Sequence, residues 1–220
     1  MSDTPLLIIG NKNYSSWSLR PWLLLRHHGV AFDEQRLLLD TPEFARTIAD
    51  WSPNRAVPAM RHAGITIWDS LAICEYANET LLGGAGWPAD ASARAVARSV
   101  SAEMHSGFQA LRKALPMNCR RRTHGTPLGP DVLANIARIG AIWRDCRARF
   151  GAGGPFLFGG FSIADAMYAP VVMRFVSYGV EIDAVAQAYV DTLLDLPALQ
   201  EWLRDAAAET ESLEATDRVA

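Results

Sequence analysis

Short apolar runs and helical repeats alternate over the first eighty residues of the chain. Leu6 to Ile9 is a continuous apolar run of strand length, which predicts a central strand covered on both faces. Apolar residues then recur at helical spacing as far as Gly29. Because proline is well tolerated only in the first turn of a helix, Pro21 predicts that this helix starts near Trp17-Ser18.

The next elements alternate in the same way and end in a hairpin that leads directly into a helix. They are a strand at 32–39, a helix from Asp40-Thr41 to about Ala49, strands at 59–61 and 65–68 joined by a turn, and a helix from Asp69-Ser70. This order of strands and helices predicts an α/β domain.

Beyond the glycine-rich stretch Gly83 to Pro88, helical periodicity dominates the chain. One long helix is predicted from Asp90 to Pro116, and a second carries apolar residues from Val132 to Phe150. Ser162-Ile163-Ala164-Asp165 has the spacing of a capping box and opens a further helix. A last helix follows Pro197, before a polar tail.

Composition excludes several classes of protein. Half of the 220 residues are apolar, and a net charge of −3 argues against nucleic acid as the main partner. The first ten residues lack a basic segment and their apolar run is short, so neither a signal peptide nor a membrane span is expected. Three cysteines without C-x-x-C spacing indicate a reducing cytoplasm, and the five histidines show no metal-ligand spacing. The run Arg120-Arg121-Arg122 is expected to be a solvated loop.

The helix start at Asp69-Ser70 combines groups that can bind both an anion and a cation. Backbone N–H groups at a helix N-terminus are unpaired and carry partial positive charge, so an anion can rest against Ser70. Asp69, immediately before it, can hold an ammonium group. The pair therefore predicts a site for the charged end of an amino acid.

Ser15 and Ser16 form a second candidate pair, at the start of the first helix. A thiolate placed in this loop would face the helix N-terminus and accept a serine O–H. The alternative is that both serines only cap the helix, which is a common use of serine at this position.

Val57-Pro58, the hairpin after it and Asp69-Ser70 together resemble the glutathione-binding segment of the glutathione S-transferases. The sequences GITI, SLAI and EY-x-x-ET are most similar to the zeta class, which includes maleylacetoacetate isomerases. The resemblance implies a thioredoxin-like domain at 1–82, a linker at 83–89 and an all-helical domain at 90–220. It also implies a cis peptide bond before Pro58, glutathione as co-substrate, an electrophilic second substrate, and a homodimer.

The same resemblance assigns roles to individual residues. Val57 would offer its backbone to glutathione, and Asp69 and Ser70 would hold the γ-glutamyl end. Ser15 takes the position of the family's activating hydroxyl or cysteine, with Ser16 in reserve and the phenol of Tyr14 third. Gln109 matches a glutamine of the helical domain that reaches glutathione, although an exposed helical glutamine explains it equally well.

Two departures from the zeta pattern bear on activity. Arg55-Ala56 stands where zeta relatives usually have Lys-Gln, so one glutathione contact is expected to be missing. The arginine of the isomerases aligns with Ser177, while Arg174 lies one turn earlier. The prediction is therefore a glutathione transferase, with a glutathione-dependent cis–trans isomerase or a non-catalytic glutathione-binding scaffold as alternatives.

Overall fold

Four short strands form a mixed sheet in the first third of the chain in this computed structural model, which describes residues 4–219. The strands are β1 (Leu6–Ile9), β2 (Asp33–Arg36), β3 (Ala59–His62) and β4 (Ile65–Trp68). Their order in the sheet is β2-β1-β3-β4, with β1 parallel to β2 and the other pairs antiparallel. β1 pairs on both edges and Leu7, Ile8 and Ile9 are fully buried, so the prediction of a central strand is confirmed.

The second strand is shorter than its apolar pattern predicted. β2 lies at the edge of the sheet, and its pairing with β1 ends at Arg36. The Leu37 N–H still donates to Ile9, but the Leu39 N–H donates to the side chain of Asn11. The chain leaves the strand here because a side chain, rather than a strand partner, satisfies its backbone.

Three helices accompany the sheet: α1 (Ser16–His27), α2 (Pro42–Trp51) and α3 (Ser70–Thr80). Each is capped by a side chain that accepts a backbone N–H, and the caps are Ser15, Thr41 and Asp69. Because the cap of α1 is Ser15, the helix begins slightly earlier than predicted and Pro21 falls in its second turn.

The remainder of the chain is helical. Its helices are α4 (Ala91–Ser106), α5 (Gln109–Ala114), α6 (Pro130–Phe150), α7 (Ile163–Tyr178), α8 (Ala184–Leu194), α9 (Pro197–Ala208) and α10 (Glu214–Asp217), with a 3₁₀ turn at Gly151–Gly153. α7 is almost wholly buried and packs on α1, so one apolar core runs from the sheet into the helical part. Among residues 4–219, no helix has both the length and the apolar character of a membrane span.

The prediction of one helix from Asp90 to Pro116 is wrong. Gly107 is extended and Phe108 adopts a left-handed conformation, which separates α4 from α5. Glycine is a poor helix former, and the Arg112 guanidinium donates to the Met104 and Gly107 carbonyls that a continuous helix would have used. The break moves Gln109 to the start of a new helix and aims Arg112 back along α4.

The capping box at the start of α7 is confirmed. The Ser162 hydroxyl and N–H donate to Asp165, which also accepts from the Leu157 N–H and the Tyr189 hydroxyl. Burial raises the pKa of Asp165 to about 6, and these four donors oppose that rise because they favour the carboxylate. α7, which carries Arg174, is thus anchored at its first turn.

The predicted linker lies between Thr80 and Ala91, where α3 ends and α4 begins. Trp87 in this stretch is buried and its indole donates to Glu75. The domain bounds at 83–89 stay a prediction, and residues 1–3 and 220 lie outside the described part of the chain. Cys74 and Cys146 are free and buried, as predicted, and Cys119 is as well.

Candidate functional site

A groove of about 180 Å³ lies where the start of α1, the loop before β3 and the start of α3 meet. Its lining consists of Trp17, Asn54, Ala56, Val57, Pro58, Asp69 and Ser70. The structure therefore brings three residues that the sequence singled out, Val57, Asp69 and Ser70, to one site. The peptide bond between Val57 and Pro58 is cis, which confirms that prediction.

Asp69 is held from two sides. One carboxylate oxygen, Oδ1, accepts the N–H groups of Leu71 and Ala72 and so caps α3. The other, Oδ2, lies 3.0 Å from Nε2 of His105, which comes from the last turn of α4. Asp69 adopts a positive φ of 76°, a backbone conformation that residues other than glycine rarely take. The carboxylate therefore joins the sheet part of the chain to the helical part.

Ser70 is buried at the first position of α3, where a backbone N–H has no acceptor within its own helix. Its hydroxyl accepts from Nη1 of Arg20 at 3.4 Å. Arg20 is fully buried, and its Nε and Nη2 have no hydrogen-bond partner among residues 4–219. A positive charge thus lies directly beneath the position where an anion would rest on the helix N-terminus.

Trp17 is surrounded by cationic and aromatic side chains. The guanidinium of Arg20 lies 4.3 Å from the indole centroid and that of Arg112 lies 4.8 Å from it. The ring of His105 meets the indole edge-on at 5.4 Å. Trp17 also lines the groove, so residues of α4 and α5 reach the site through contact with it.

Ser15 is buried and caps α1. Its Oγ accepts the Ser18 N–H at 3.4 Å and lies 2.7 Å from the Ser18 hydroxyl. That hydroxyl in turn accepts the Gly10 N–H at 3.1 Å. If Ser18 donates its hydrogen to Ser15, the Ser15 O–H is left to donate elsewhere. The capping role and the thiol-activating role are therefore compatible at this residue.

Ser16, the first residue of α1, contacts the helical part of the chain. Its hydroxyl accepts from Nη2 of Arg174 at 3.3 Å, and Arg174 donates to the Pro170 carbonyl through Nη1. Nε of Arg174 is buried, and no residue among 4–219 accepts from it. The two candidate serines thus differ, since Ser15 is engaged within α1 and Ser16 faces a buried arginine.

Arg20, Arg112 and Arg174 form a cationic cluster around Trp17 and Ser16. Burial is the main cause that lowers the pKa of all three, and for Arg20 and Arg174 the charge of Arg112 adds to it. The pKa of Arg174 falls to about 9. Burying cations together is unfavourable unless anions approach them, so the cluster suits a ligand that carries negative charge.

Three other groups that the sequence singled out, Gln109, Tyr14 and the arginines at 120–122, do not line the groove. Gln109 is exposed, donates to the Ser106 carbonyl, and does not line the groove, because the break before α5 turns it away. The Tyr14 hydroxyl is engaged by Asp217 and Arg120. Arg120 and Arg121 are not merely solvated, since they donate to carbonyls of the C-terminal tail and hold it against the chain.

His105 and Arg20 lie at the site but were not predicted from the sequence. The helical pattern marks His105 as a polar position of a predicted helix, but it does not say which distant residues the side chain meets. Arg20 is the exception, because an arginine within an otherwise apolar helix is a signal that the sequence displays.

Comparison with known proteins agrees with this architecture. A family model described as "Glutathione S-transferase, N-terminal domain" matches residues 14–80, and one described as "Glutathione S-transferase, C-terminal domain" matches residues 95–205. The fold is thus a thioredoxin-like α/β domain followed by a helical domain. The chain belongs to the glutathione S-transferase family.

Solved structures show the same fold at low identity. A glutathione transferase homolog from Burkholderia, crystallised with bound glutathione, superposes with a TM-score of 0.72 at 22% identity and covers 94% of this chain and 100% of its own. A theta class glutathione S-transferase from Xanthomonas axonopodis pv. citri, also with glutathione bound, gives 0.66 at 20% identity over 92% and 98%.

Two curated relatives agree with the zeta-like motifs. They are maleylacetoacetate isomerases of Rattus norvegicus and Mus musculus, each 33% identical over 108 residues. The match covers 49% of this chain and 50% of each relative, so the chain spans about half the length of these curated relatives.

Proposed function

We propose that this protein binds glutathione in the groove and transfers its thiolate to an electrophilic small molecule. The observation that carries the proposal is the meeting of Val57, Asp69 and Ser70 in one groove at the N-terminus of α3. Asp69 would hold the γ-glutamyl ammonium, while Ser70 and the helix N-terminus would hold the adjacent carboxylate. The backbone of Val57 would meet the cysteinyl part, as the family resemblance implies.

The thiol would then lie near the start of α1. A free thiol has a pKa of about 8.5, and lowering it by about two units stabilises the thiolate by roughly 2.7 kcal/mol. Three features favour the thiolate there: the N-terminus of α1, a hydroxyl from Ser15 or Ser16, and the positive charge of Arg174. Holding the thiolate beside the electrophile supplies the rest of the acceleration by proximity.

The electrophile would approach from the helical domain, where the residues around Trp17 are cationic. A cytoplasmic homodimer is proposed on the family resemblance alone. A non-catalytic glutathione-binding protein would share the groove, and turnover separates the two functions. We therefore expect the purified protein to conjugate glutathione to a generic aromatic halide; glutathione binding without turnover of any electrophile in a broad panel would favour the scaffold.

One observation favours a glutathione-dependent cis–trans isomerase as a second candidate. Arg174 is buried beside Ser16, and its Nε has no hydrogen-bond partner among residues 4–219, so this guanidinium could pair with a substrate carboxylate near the thiolate. The similarity to maleylacetoacetate isomerases points the same way. Measuring isomerisation of maleylacetoacetate beside conjugation of the aromatic halide decides between the two reactions.

A further inference from the structure

His105 contacts two residues of the groove although it belongs to the helical part of the chain. Its Nε2 lies 3.0 Å from Oδ2 of Asp69, and its ring packs edge-on against Trp17. The resemblance had assigned the helical domain's contact with glutathione to Gln109, which is exposed and outside the groove. In this structure, the helical residue that reaches Asp69 is His105.

The contact fixes the orientation of the Asp69 carboxylate. Oδ1 is occupied by the N–H groups of Leu71 and Ala72, so Oδ2 is the oxygen left to meet a ligand ammonium. A carboxylate oxygen has two lone pairs, and one donor from His105 leaves the other for the ligand. Without that donor, the helix cap is the contact among residues 4–219 that would still hold the Asp69 carboxylate.

The surroundings of His105 favour the neutral imidazole with its hydrogen on Nε2. Nδ1 is buried, and no residue among 4–219 hydrogen-bonds to it, so a proton placed there would lack an acceptor. Burial is the largest cause that lowers the pKa of His105, and the charges of Arg20 on α1 and Arg112 on α5 lower this pKa further. Asp69, on the side of α3, raises it and only partly opposes them.

We propose that His105 is a positioning residue that aims Asp69 at the ammonium group of the ligand from across the domain interface. This inference rests on the proposed binding of glutathione and assigns a helical-domain residue to that site. The neutral ring donates one hydrogen bond and leaves the full charge of Asp69 to attract the ammonium. Protonated His105 would form an ion pair with Asp69 and compete with the ligand.

The sign of the pH dependence follows from that competition. Binding of the ammonium favours neutral His105, so affinity should be highest above the lowered pKa of His105 and should fall as pH drops through it. Glutathione itself carries carboxyl groups that titrate near 3.5 and amino and thiol groups that titrate near 8. A change in affinity between about pH 5 and pH 7 therefore reports groups of the protein.

The experiment measures glutathione affinity by calorimetry for the wild type, His105→Phe and His105→Gln. Phenylalanine keeps the ring but has no donor, whereas the glutamine amide can donate from nearly the position of Nε2 without titrating. At pH 7.5, His105→Phe should bind glutathione roughly tenfold more weakly, and His105→Gln should stay close to the wild type. As the pH falls below about 6.5, the wild type should lose affinity, while His105→Gln should not.

A ligand comparison separates positioning from a merely structural role. The same proteins are titrated with a glutathione analogue in which hydrogen replaces the α-amino group. His105→Phe should weaken binding of glutathione but hardly change binding of the analogue. His124→Gln, an exposed histidine in the loop before α6, serves as the control and should keep the wild-type affinity and pH profile.

Three outcomes would overturn the assignment of His105: equal losses for both ligands, failure of glutamine to rescue, or a pH profile that survives in His105→Gln. If His105→Phe does not fold, the pH profiles of the wild type and His105→Gln decide by themselves. Absence of any binding by the wild type at millimolar glutathione would overturn the proposed function together with this inference.

Discussion

Arg174 and Ser16, 158 residues apart in the chain, are joined by a hydrogen bond of 3.3 Å from the guanidinium to the hydroxyl. The bond connects the buried helix α7 to the first turn of α1, where the thiol of glutathione is proposed to lie. It places a buried positive charge next to one of the two candidate serines. The roles of the two serines and of Arg174 therefore have to be tested together.

Ser15 is predicted to donate a hydrogen bond to the thiolate and not to act as a nucleophile. Ser15→Ala should leave glutathione affinity nearly intact, raise the pKa of the bound thiol and lower turnover near neutral pH. Loss of one donor to a charged group costs about 1.5–3 kcal/mol, or roughly ten- to a hundredfold in rate. Raising the pH should recover part of the loss, and a pH–rate profile measures both effects.

Ser16→Ala is the matched variant for that profile. If Ser15→Ala behaves as the wild type and Ser16→Ala shows the displaced profile, the activating role belongs to Ser16 and its contact with Arg174 gains importance. Unchanged profiles in both variants would show that neither Ser15 nor Ser16 activates the thiol.

Recognition of the γ-glutamyl end is predicted to depend on Asp69 and Ser70. Each change to alanine removes hydrogen bonds to a charged group, about 1.5–3 kcal/mol, so glutathione should bind at least about tenfold more weakly. Asp69→Ala also removes the cap of α3, so its thermal unfolding should be compared with that of Asp69→Asn, which retains capping ability. Unchanged affinity in both alanine variants would move the binding site elsewhere.

Isomerisation of maleylacetoacetate is predicted to be slow relative to conjugation. Ser177, which the family resemblance places at the position of the isomerases' arginine, is buried and donates its hydroxyl to the Asn118 carbonyl. The Ser177 side chain therefore makes a structural hydrogen bond and supplies no positive charge. Efficient isomerisation by the wild type would contradict this prediction, and its loss in Arg174→Met would then assign the missing role to Arg174.

Glu209 is predicted to stabilise the loop that leads to Ser15. Its carboxylate accepts the N–H of Lys12 at 2.7 Å and that of Asn13 at 3.0 Å, and it pairs with Arg36. Glu209→Ala leaves two buried N–H groups without an acceptor and should lower the free energy of unfolding by about 2–3 kcal/mol. Urea denaturation measures the loss, and turnover should fall with it because the loop precedes Ser15.

Glu211→Ala is the control for this change. Glu211 also pairs with Arg36, but its side chain is 30% exposed, whereas that of Glu209 is 6% exposed. An exposed ion pair contributes about 0–1 kcal/mol, so this variant should stay close to the wild type. If the two substitutions destabilise the protein equally, Glu209 acts through its charge near Arg36 and not by supporting the loop.

The local signals in the sequence predicted most of the fold. Strands, helices and caps depend on neighbouring residues, so the apolar run of β1 and the capping box at Ser162 could be recognised directly. The helix break at Gly107 was missed because a single glycine is tolerated within a long helical pattern. The second strand ends early because the Leu39 N–H donates to the side chain of Asn11, which is distant in sequence, and not to a neighbouring strand.

The fold class could be predicted from the sequence alone, and so could three of the residues that line the groove, Val57, Asp69 and Ser70, because one contiguous segment carries them. The residues that surround these three could be identified only from the tertiary structure. His105 and Arg174 lie on helices, and Glu209 follows the end of α9. The hydrophobic pattern predicts such helices but not how they are oriented relative to the site. The contacts between such distant segments depend on how whole helices pack, and local patterns do not encode that packing.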